Sequence, residues 1–378
     1  MPAIDSYPQT FDEVDEANRE ERRKRSEYIT ATWQYYRGEH RKPLTVKTGQ
    51  PDDNVILNLS KKLVDTAVAM LFGREVKFEL DQTGETEAEQ YLNGVWQANR
   101  KRLLLNDIAL NGYVTGHPVV RLAPQPEGAP RVINLNPDSL SVFWRADDIA
   151  TVLFYSLRWS DDRRQDIVRE DEGWRILDLE RERGRDWTVA NRQMWEYPWP
   201  PILDWKNLPN PNMYYGLSDL EHADLNDAIN FVASNILRIL RYHAHPKTIG
   251  TGARATDLQE TAVDSFWTFP NPEAKIFNLE MQSDLGSSLE YLKLMRTAFF
   301  SLGAGVDMSH IMSSLREVTN FSIKVLYKDA VDRLKLKRAL YGEALVELNR
   351  RILELGGFQH NDKELKTWLL QITIAVIW

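Results

Sequence analysis

The residues best equipped for chemistry in this chain are its paired carboxylates. Asp52/Asp53, Asp147/Asp148, Asp161/Asp162 and Asp171/Glu172 each set two acids side by side. Two carboxyl groups flanking a sugar can act as acid and base, or as acid and nucleophile, in glycoside hydrolysis. Twelve tryptophans would add stacking surface for such a substrate. Each pair, however, lies in a hydrophilic, turn-like stretch, where solvated turn residues are the ordinary occupants. His243-Ala-His245 offers half a metal site. Residues two apart share a face only on a strand, and this pair closes a helix ahead of Pro246, where histidine suits the negative helix end. His40, His117, His222, His310 and His360 are scattered. Gly250-Thr-Gly252 and Gly303-Ala-Gly305 each lack the third glycine of a dinucleotide fingerprint and read as turns. There is no Gly-Lys of a P-loop, no H-E-x-x-H and no G-x-S-x-G. No catalytic, metal or cofactor site is expected.

Composition narrows the classes further. The 378 residues are 43% hydrophobic and 27% charged, enough for one large or two to three ordinary domains with a packed core. Lys+Arg number 47 against 55 Asp+Glu, a net charge of −8, which is not the basic surface of a DNA groove reader. The absence of cysteine excludes disulfides, thiolate metal sites and cysteine nucleophiles. The amino-terminal Met-Pro-Ala-Ile-Asp leads into charged sequence rather than an apolar h-region. No apolar run approaches the roughly 18 residues of a membrane span. A soluble cytoplasmic protein with no membrane partner is expected.

The elements that must position any site follow from periodicity. A helix is predicted over about Thr10–Tyr36, stopped by Gly38, and a second over Asn58–Phe72 with a broad apolar face. A strand over Val76–Leu80 precedes a helical pair spanning Thr86–Val114. From Val119 the pattern turns to period two, giving seven strands: Val119–Leu122, Val132–Leu135, Ser141–Trp144, Thr151–Trp159, Asp166–Arg169, Trp174–Glu180 and Trp187–Glu196. They form an antiparallel β block, with a hairpin turn at Asp171-Glu172-Gly173. The proline-rich Tyr197–Tyr215 reads as a linker marking a domain boundary. A helix from Ser218, its cap, runs to Tyr242. Strands Lys247–Gly250 and Ala274–Leu279 follow, then a helix over Ser288–Leu302 that breaks at Gly303-Ala-Gly305. The longest helix spans Asn320–Leu355 and shows a mixed-charge face. Leu365–Trp378 is a last strand. No internal repeat is visible.

Three segments together resemble one known family. Trp33-Gln-Tyr35-Tyr36-Arg37-Gly38, Asn54 through Asn58, Lys62-Leu-Val-Asp65 and Leu71-Phe72-Gly73 are similar to the opening of the portal proteins of tailed double-stranded DNA bacteriophages. Trp205-Lys-Asn207-Leu-Pro209-Asn-Pro211, leading to Gly216-Leu-Ser218-Asp219-Leu220, resembles the family's approach to its stem helix. Thr319-Asn-Phe-Ser-Ile-Lys-Val-Leu-Tyr327 resembles the start of its long kinked helix, with Asn320-Phe321 where Ser-Gly is usual.

The resemblance implies an α+β protomer. Residues 1–217 would be the wing, 218–242 and 288–302 the two stem helices, 243–287 the clip and 303–318 the tunnel loop. Residues 319–357 would be the long wing helix and 358–378 a strand returning to the wing. The family usually continues into a helical crown, which here is absent or truncated. The implied function is a homo-oligomeric ring, a dodecamer, at one capsid vertex of the virion, assembled in the host cytoplasm. It would pass double-stranded DNA without reading its sequence. Its partners would be the large terminase motor, the major capsid or scaffold protein, and head-completion or tail proteins. Ring contacts are expected on the mixed-charge helices and the β block. Gly303, Gly305, Val306, Asp307, Met308, Ser309, His310, Ser313 and Ser314 would face the DNA, the glycines lending the loop freedom. Lys293 and Arg296 would point into the lumen, and Lys247, Arg254 and Lys275 would contact partners in the clip. Each of these basic residues reads equally as a solvated surface charge. A different phage structural or scaffolding protein, and a carboxylate-dependent glycoside hydrolase, stay open as alternatives.

Overall fold

The computed structural model describes residues 3–4, 6–8, 11–49, 52–73, 76–80, 87–183, 185–244, 247–251, 273, 275–279, 285–307, 325, 327–358 and 365–368. Contacts divide the chain into two units. The first comprises Met1–Glu39, Asn58–Ala223 and Phe299–Trp378; the second comprises His40–Leu57 and Asp224–Ala298.

The first unit opens with a two-residue strand β1 (Ala3–Ile4) and helix α1 (Phe11–Arg37). Gly38, at φ +81°, ends α1 in the left-handed region where glycine carries no Cβ penalty. Helix α2 (Leu59–Phe72) is capped by Asn58, whose side chain accepts from the Lys61 amide. Strand β2 (Lys77–Leu80), helix α3 (Glu87–Ala98) and helix α4 (Lys101–Thr115) follow.

The β block contains all seven expected strands, at slightly shifted bounds. They are β3 (Val119–Ala123), β4 (Arg131–Asn134), β5 (Leu140–Arg145), β6 (Asp148–Arg158), β7 (Arg163–Glu170), β8 (Gly173–Glu180) and β9 (Thr188–Trp195). They split between two sheets. One has the order β1-β5-β6-β7-β8-β9 and is antiparallel except that β1 joins β5 in parallel. In the other, β3 pairs with β4 and with β10 (Ile202–Asp204). Successive strand residues face opposite sides. Phe143, Phe154, Val168, Leu177 and Leu179 thereby collect on one face beneath Val14 of α1 and Trp187. Phe143 and Phe154 stack at 4.0 Å. On the same sheet Arg164 and Asp166, both buried, pair at 3.1 Å. Tyr7 and Ser156 each donate to Asp166, tying the amino-terminal segment to the sheet.

Strand β10 corrects the reading of Tyr197–Tyr215 as a linker. Trp199, Ile202 and Leu208 are buried, and Leu122 donates to the Pro201 carbonyl. The prolines sit at an edge where no ladder N–H is needed, which is where a sheet tolerates them. The unit boundary instead falls between Ala223 and Asp224.

Helix α7 (Lys328–Leu355) completes the first unit's core with Leu334, Tyr341, Leu345, Leu348 and Ile352. Fully burying one such side chain contributes about 1.5–3 kcal/mol. Its Asn349 accepts from the buried Trp96 indole at 2.7 Å. The expected start of this helix near Asn320 lies outside the described residues. Strand β13 (Leu365–Trp368) pairs antiparallel with β2; the remainder of the expected strand, 369–378, also lies outside them.

The second unit contains helix α5 (Asp224–Ala244), strands β11 (Lys247–Thr251) and β12 (Lys275–Leu279), and most of helix α6 (Leu285–Leu302). Helix α5 starts six residues after the expected Ser218 because Ser218 is spent elsewhere. Its Oγ donates to the Val114 carbonyl at 2.7 Å, near the end of α4, and accepts from the Leu220 amide.

Candidate functional site

The first unit holds a buried polar junction where α2, α4, α7, the residues before α5 and the glycine turn after α6 converge. Asp219 is its centre. Its carboxylate accepts from Lys337 of α7 and, at 2.9 Å, from Asn207 Nδ2. Asn207 Oδ1 in turn accepts from the Tyr341 hydroxyl at 3.0 Å. The Lys337 ammonium also stands 3.1 Å from the centre of the Tyr113 ring, a cation–π contact strengthened by the burial of both groups. Arg333 approaches the other Asp219 oxygen at 3.6 Å. Asp219, Asn207, Lys337 and Tyr341 are all buried. Burial pushes the Lys337 pKa down to about 7, although Asp219 pulls it upward. Burial and the charge of Asp219 both raise the Tyr113 hydroxyl.

Two glycines let the backbones meet here. A Cβ on Gly112 would strike the Tyr341 hydroxyl and Pro118, and one on Gly116 would strike the backbone of Gly216, Leu217 and Ser218. Beside the junction, a cavity of about 80 Å³ is lined by Leu63, Phe300, Gly303, Gly305, Val306 and Lys337. The Gly303 and Gly305 amides close α6 by donating hydrogen bonds to the Phe299 and Phe300 carbonyls. Neither has a positive φ; the left-handed residue is Ala304, at φ 50°. A Cβ on either glycine would meet Leu63. At this turn the absent side chains let the backbone approach Leu63 closely.

The second unit is organised around one stripe of α5. Asn226, Asn230 and Ser234, spaced four apart and fully buried, line a single helix face. Asn230 Oδ1 accepts from the Leu57 amide, Ser234 Oγ accepts from the Val55 amide, and Asn226 donates to the Leu57 carbonyl. One turn further on, Arg238 and Arg241 both pair with buried Asp53. His40 contacts Asp227 at 3.0 Å. The extended segment before α2 thus has its backbone groups satisfied by helix side chains. Replacing Asn230 with alanine leaves the Leu57 amide without its partner. The expected cost is about 1–3 kcal/mol, read as faster amide exchange confined to residues 53–57.

The two members of the Asp52/Asp53 pair are held by different partners. Asp52 accepts from the Asn54 amide and from Lys42, which hold it down at about 2. Asp53 serves the α5 arginines. Asp161/Asp162 and Asp171/Glu172 occupy the turns after β6 and β7. Among the residues expected to face DNA, the structure describes Gly303, Gly305, Val306 and Asp307; Met308, Ser309, His310, Ser313 and Ser314 lie outside it. Lys293 and Arg296 lie one turn apart on α6, the first exposed and the second half-buried. Lys247 and Lys275 are not brought together. They lie at opposite ends of the β11–β12 ladder, opposite Leu279 and Thr251, roughly 13 Å apart at strand spacing. Arg254 lies outside the described residues. The Asp219 junction and the α5 stripe were not read from the sequence. The four-residue spacing of Asn226, Asn230 and Ser234 on one face of the helix was the available signal.

A family model described as phage portal protein, SPP1 Gp6-like, matches residues 15–378. The chain belongs to that family. The resemblance in the Trp33–Gly73, Trp205–Leu220 and Thr319–Tyr327 segments is borne out, and with it the mixed helix-and-sheet class. This portal chain is also similar to solved structures. A chain from the virion of a native gene transfer agent particle matches with a TM-score of 0.55 at 15% identity, over 92% of this chain and 86% of that one. A chain from the neck of the native particle, computed with C12 symmetry, matches with a TM-score of 0.50 at 15% identity, over 84% and 82%. At that identity the likeness is one of fold. A comparison with curated protein sequences finds no match. No described helix of the portal chain is long and apolar enough to cross a membrane.

Proposed function

We propose that this portal chain assembles into a closed ring, a dodecamer, at one vertex of a phage or phage-like capsid. The ring is the channel through which double-stranded DNA is packaged and later ejected. The family match across residues 15–378 carries this reading. The wing is 1–217 with the long helix 319–357 and the strand 358–378. The stem helices are 218–242 and 288–302, the clip is 243–287, and the tunnel loop is 303–318. The large terminase and head-completion or tail proteins dock on the ring, and the capsid or scaffold protein surrounds it. The tunnel loop residues named above contact the DNA backbone, with Lys293 and Arg296 in the lumen and Lys247, Arg254 and Lys275 on the clip. The ring carries no catalytic step of its own.

The helices of the second unit support self-association. Phe231, Leu237 and Leu240 on α5, and Leu289, Tyr291 and Leu294 on α6, are all exposed in the single chain. Their burial against neighbouring copies would supply part of the driving force for association. Native mass spectrometry of the purified chain tests the reading. A closed oligomer near twelve copies is expected, and a monomer or dimer under all assembly conditions would overturn it.

A further inference from the structure

A cleft of about 730 Å³ opens along α1 in the first unit. Arg19, Arg22 and Arg23 line it from α1, Arg158 from the last residue of β6, and Arg181 from the residue after β8. Glu27 is the one acid in the lining, and Arg23 holds it at 2.6 Å. The buried Trp187 ring supports two of the guanidiniums, Arg181 at 4.5 Å and Arg158 at 5.4 Å. In a chain of net charge −8, five arginines in one concavity form a local reversal of sign.

The opposite sign stands at the far end of the same strands. The β7–β8 hairpin turns through Asp171-Glu172, both exposed at its tip, while Glu170, the last residue of β7, is held by Arg175 at 3.0 Å. Eight residues of strand separate this tip from the Arg158 and Arg181 end, about 26 Å at strand rise.

We propose that the arginine cleft receives the Asp171-Glu172 hairpin tip of the next copy in the ring. The inference rests on the ring reading above and names the contact that closes it. Two unlike, complementary patches at opposite ends of one sheet are what a head-to-tail interface requires, and such interfaces generate rings. Arginine forks bind carboxylates bidentately, which fixes register as well as affinity. A carboxylate tip suits the cleft better than nucleic acid does. The lining has no aromatic side chain on which bases could stack, and a concave cleft admits a hairpin tip more readily than a convex duplex.

The test uses two full-length variants, one with Arg19→Glu, Arg22→Glu and Arg23→Glu, which turns the cleft lining acidic, the other with Asp171→Lys and Glu172→Lys. Each alone sets like charges against each other, and the ring fraction in native mass spectrometry is expected to fall at least tenfold. Mixed in equal amounts, every cleft can face a tip of opposite sign, so rings containing both chains at 1:1 should reappear. That rescue also shows that each variant is folded. Rings formed by either variant alone at wild-type yield would overturn the contact, as would failure of the mixture to recover. Variants that assemble normally but lose duplex DNA in a gel-shift assay would assign the cleft to nucleic acid instead. A wild-type chain that forms no ring would overturn the ring reading itself, a result distinct from either.

Discussion

Replacing Asp219 with alanine is expected to lower the unfolding free energy by about 3–5 kcal/mol, the usual consequence of stranding one member of a buried ion pair. Lys337 and Asn207 both lose their acceptor, and Lys337, 1% exposed, cannot turn to bulk solvent for another. The loss should depend on pH in a defined direction. The folded chain holds Lys337 with a pKa of about 7, against 10.5 ordinarily. Across that window the unfolded chain binds more protons, so the contribution of this group to stability rises with pH. Without Asp219 the lysine is driven further down and must shed its proton to stay buried. The gap between wild type and variant should therefore be wider at pH 6 than at pH 9. Chemical denaturation at the two pH values measures it. An equal gap at both would mean that the lysine escapes to solvent in the variant.

Replacing Gly116 with alanine should be comparably damaging, for reasons of geometry rather than charge. Gly116 sits at φ +85°, and an added Cβ would lie 2.6 Å from the Gly216 carbonyl oxygen and 2.8 Å from the Leu217 carbonyl carbon and the Ser218 nitrogen. The left-handed conformation alone costs an L-residue about 1–2 kcal/mol, and overpacking typically adds about 1–3 kcal/mol. All three obstructing atoms are backbone, so none can rotate away. Gly128 provides the control. It has a similar φ of +91°, but an added Cβ meets nothing within 4 Å. Its alanine variant should show the conformational cost alone. Equal melting temperatures for the two variants would show that the contact between the Gly116 and Gly216 segments is not rigid.

The regular elements of the fold were legible because their signals are local. Alternation marked each strand from Val119 to Trp195, and the apolar stripes with Gly38 and Asn58 marked α1 and α2. Strand β10 was hidden because Pro198, Pro200 and Pro201 lie directly before it, and proline ordinarily argues against a strand. The helix start at Ser218 was misplaced for a related reason. The hydroxyl has the right chemistry for a cap, but carbonyls of α4, about a hundred residues earlier, claim it. The Asp219 junction was illegible in principle, since Asn207, Asp219, Lys337 and Tyr341 meet only once the chain is folded. The glycine turn shows a different limit. Gly303 and Gly305 signalled a turn correctly, but their chemistry cannot distinguish freedom from the need to let Leu63 approach.

The pairing of β2 with β13 joins residues near the start of the chain to others close to its end. Contacts so distant in sequence form slowly, because the loop they close must be ordered first. While the chain is being synthesised, Lys77–Leu80 has to wait, as a bare edge, for almost everything after it. The first unit therefore reaches its final form only after translation has passed Trp368.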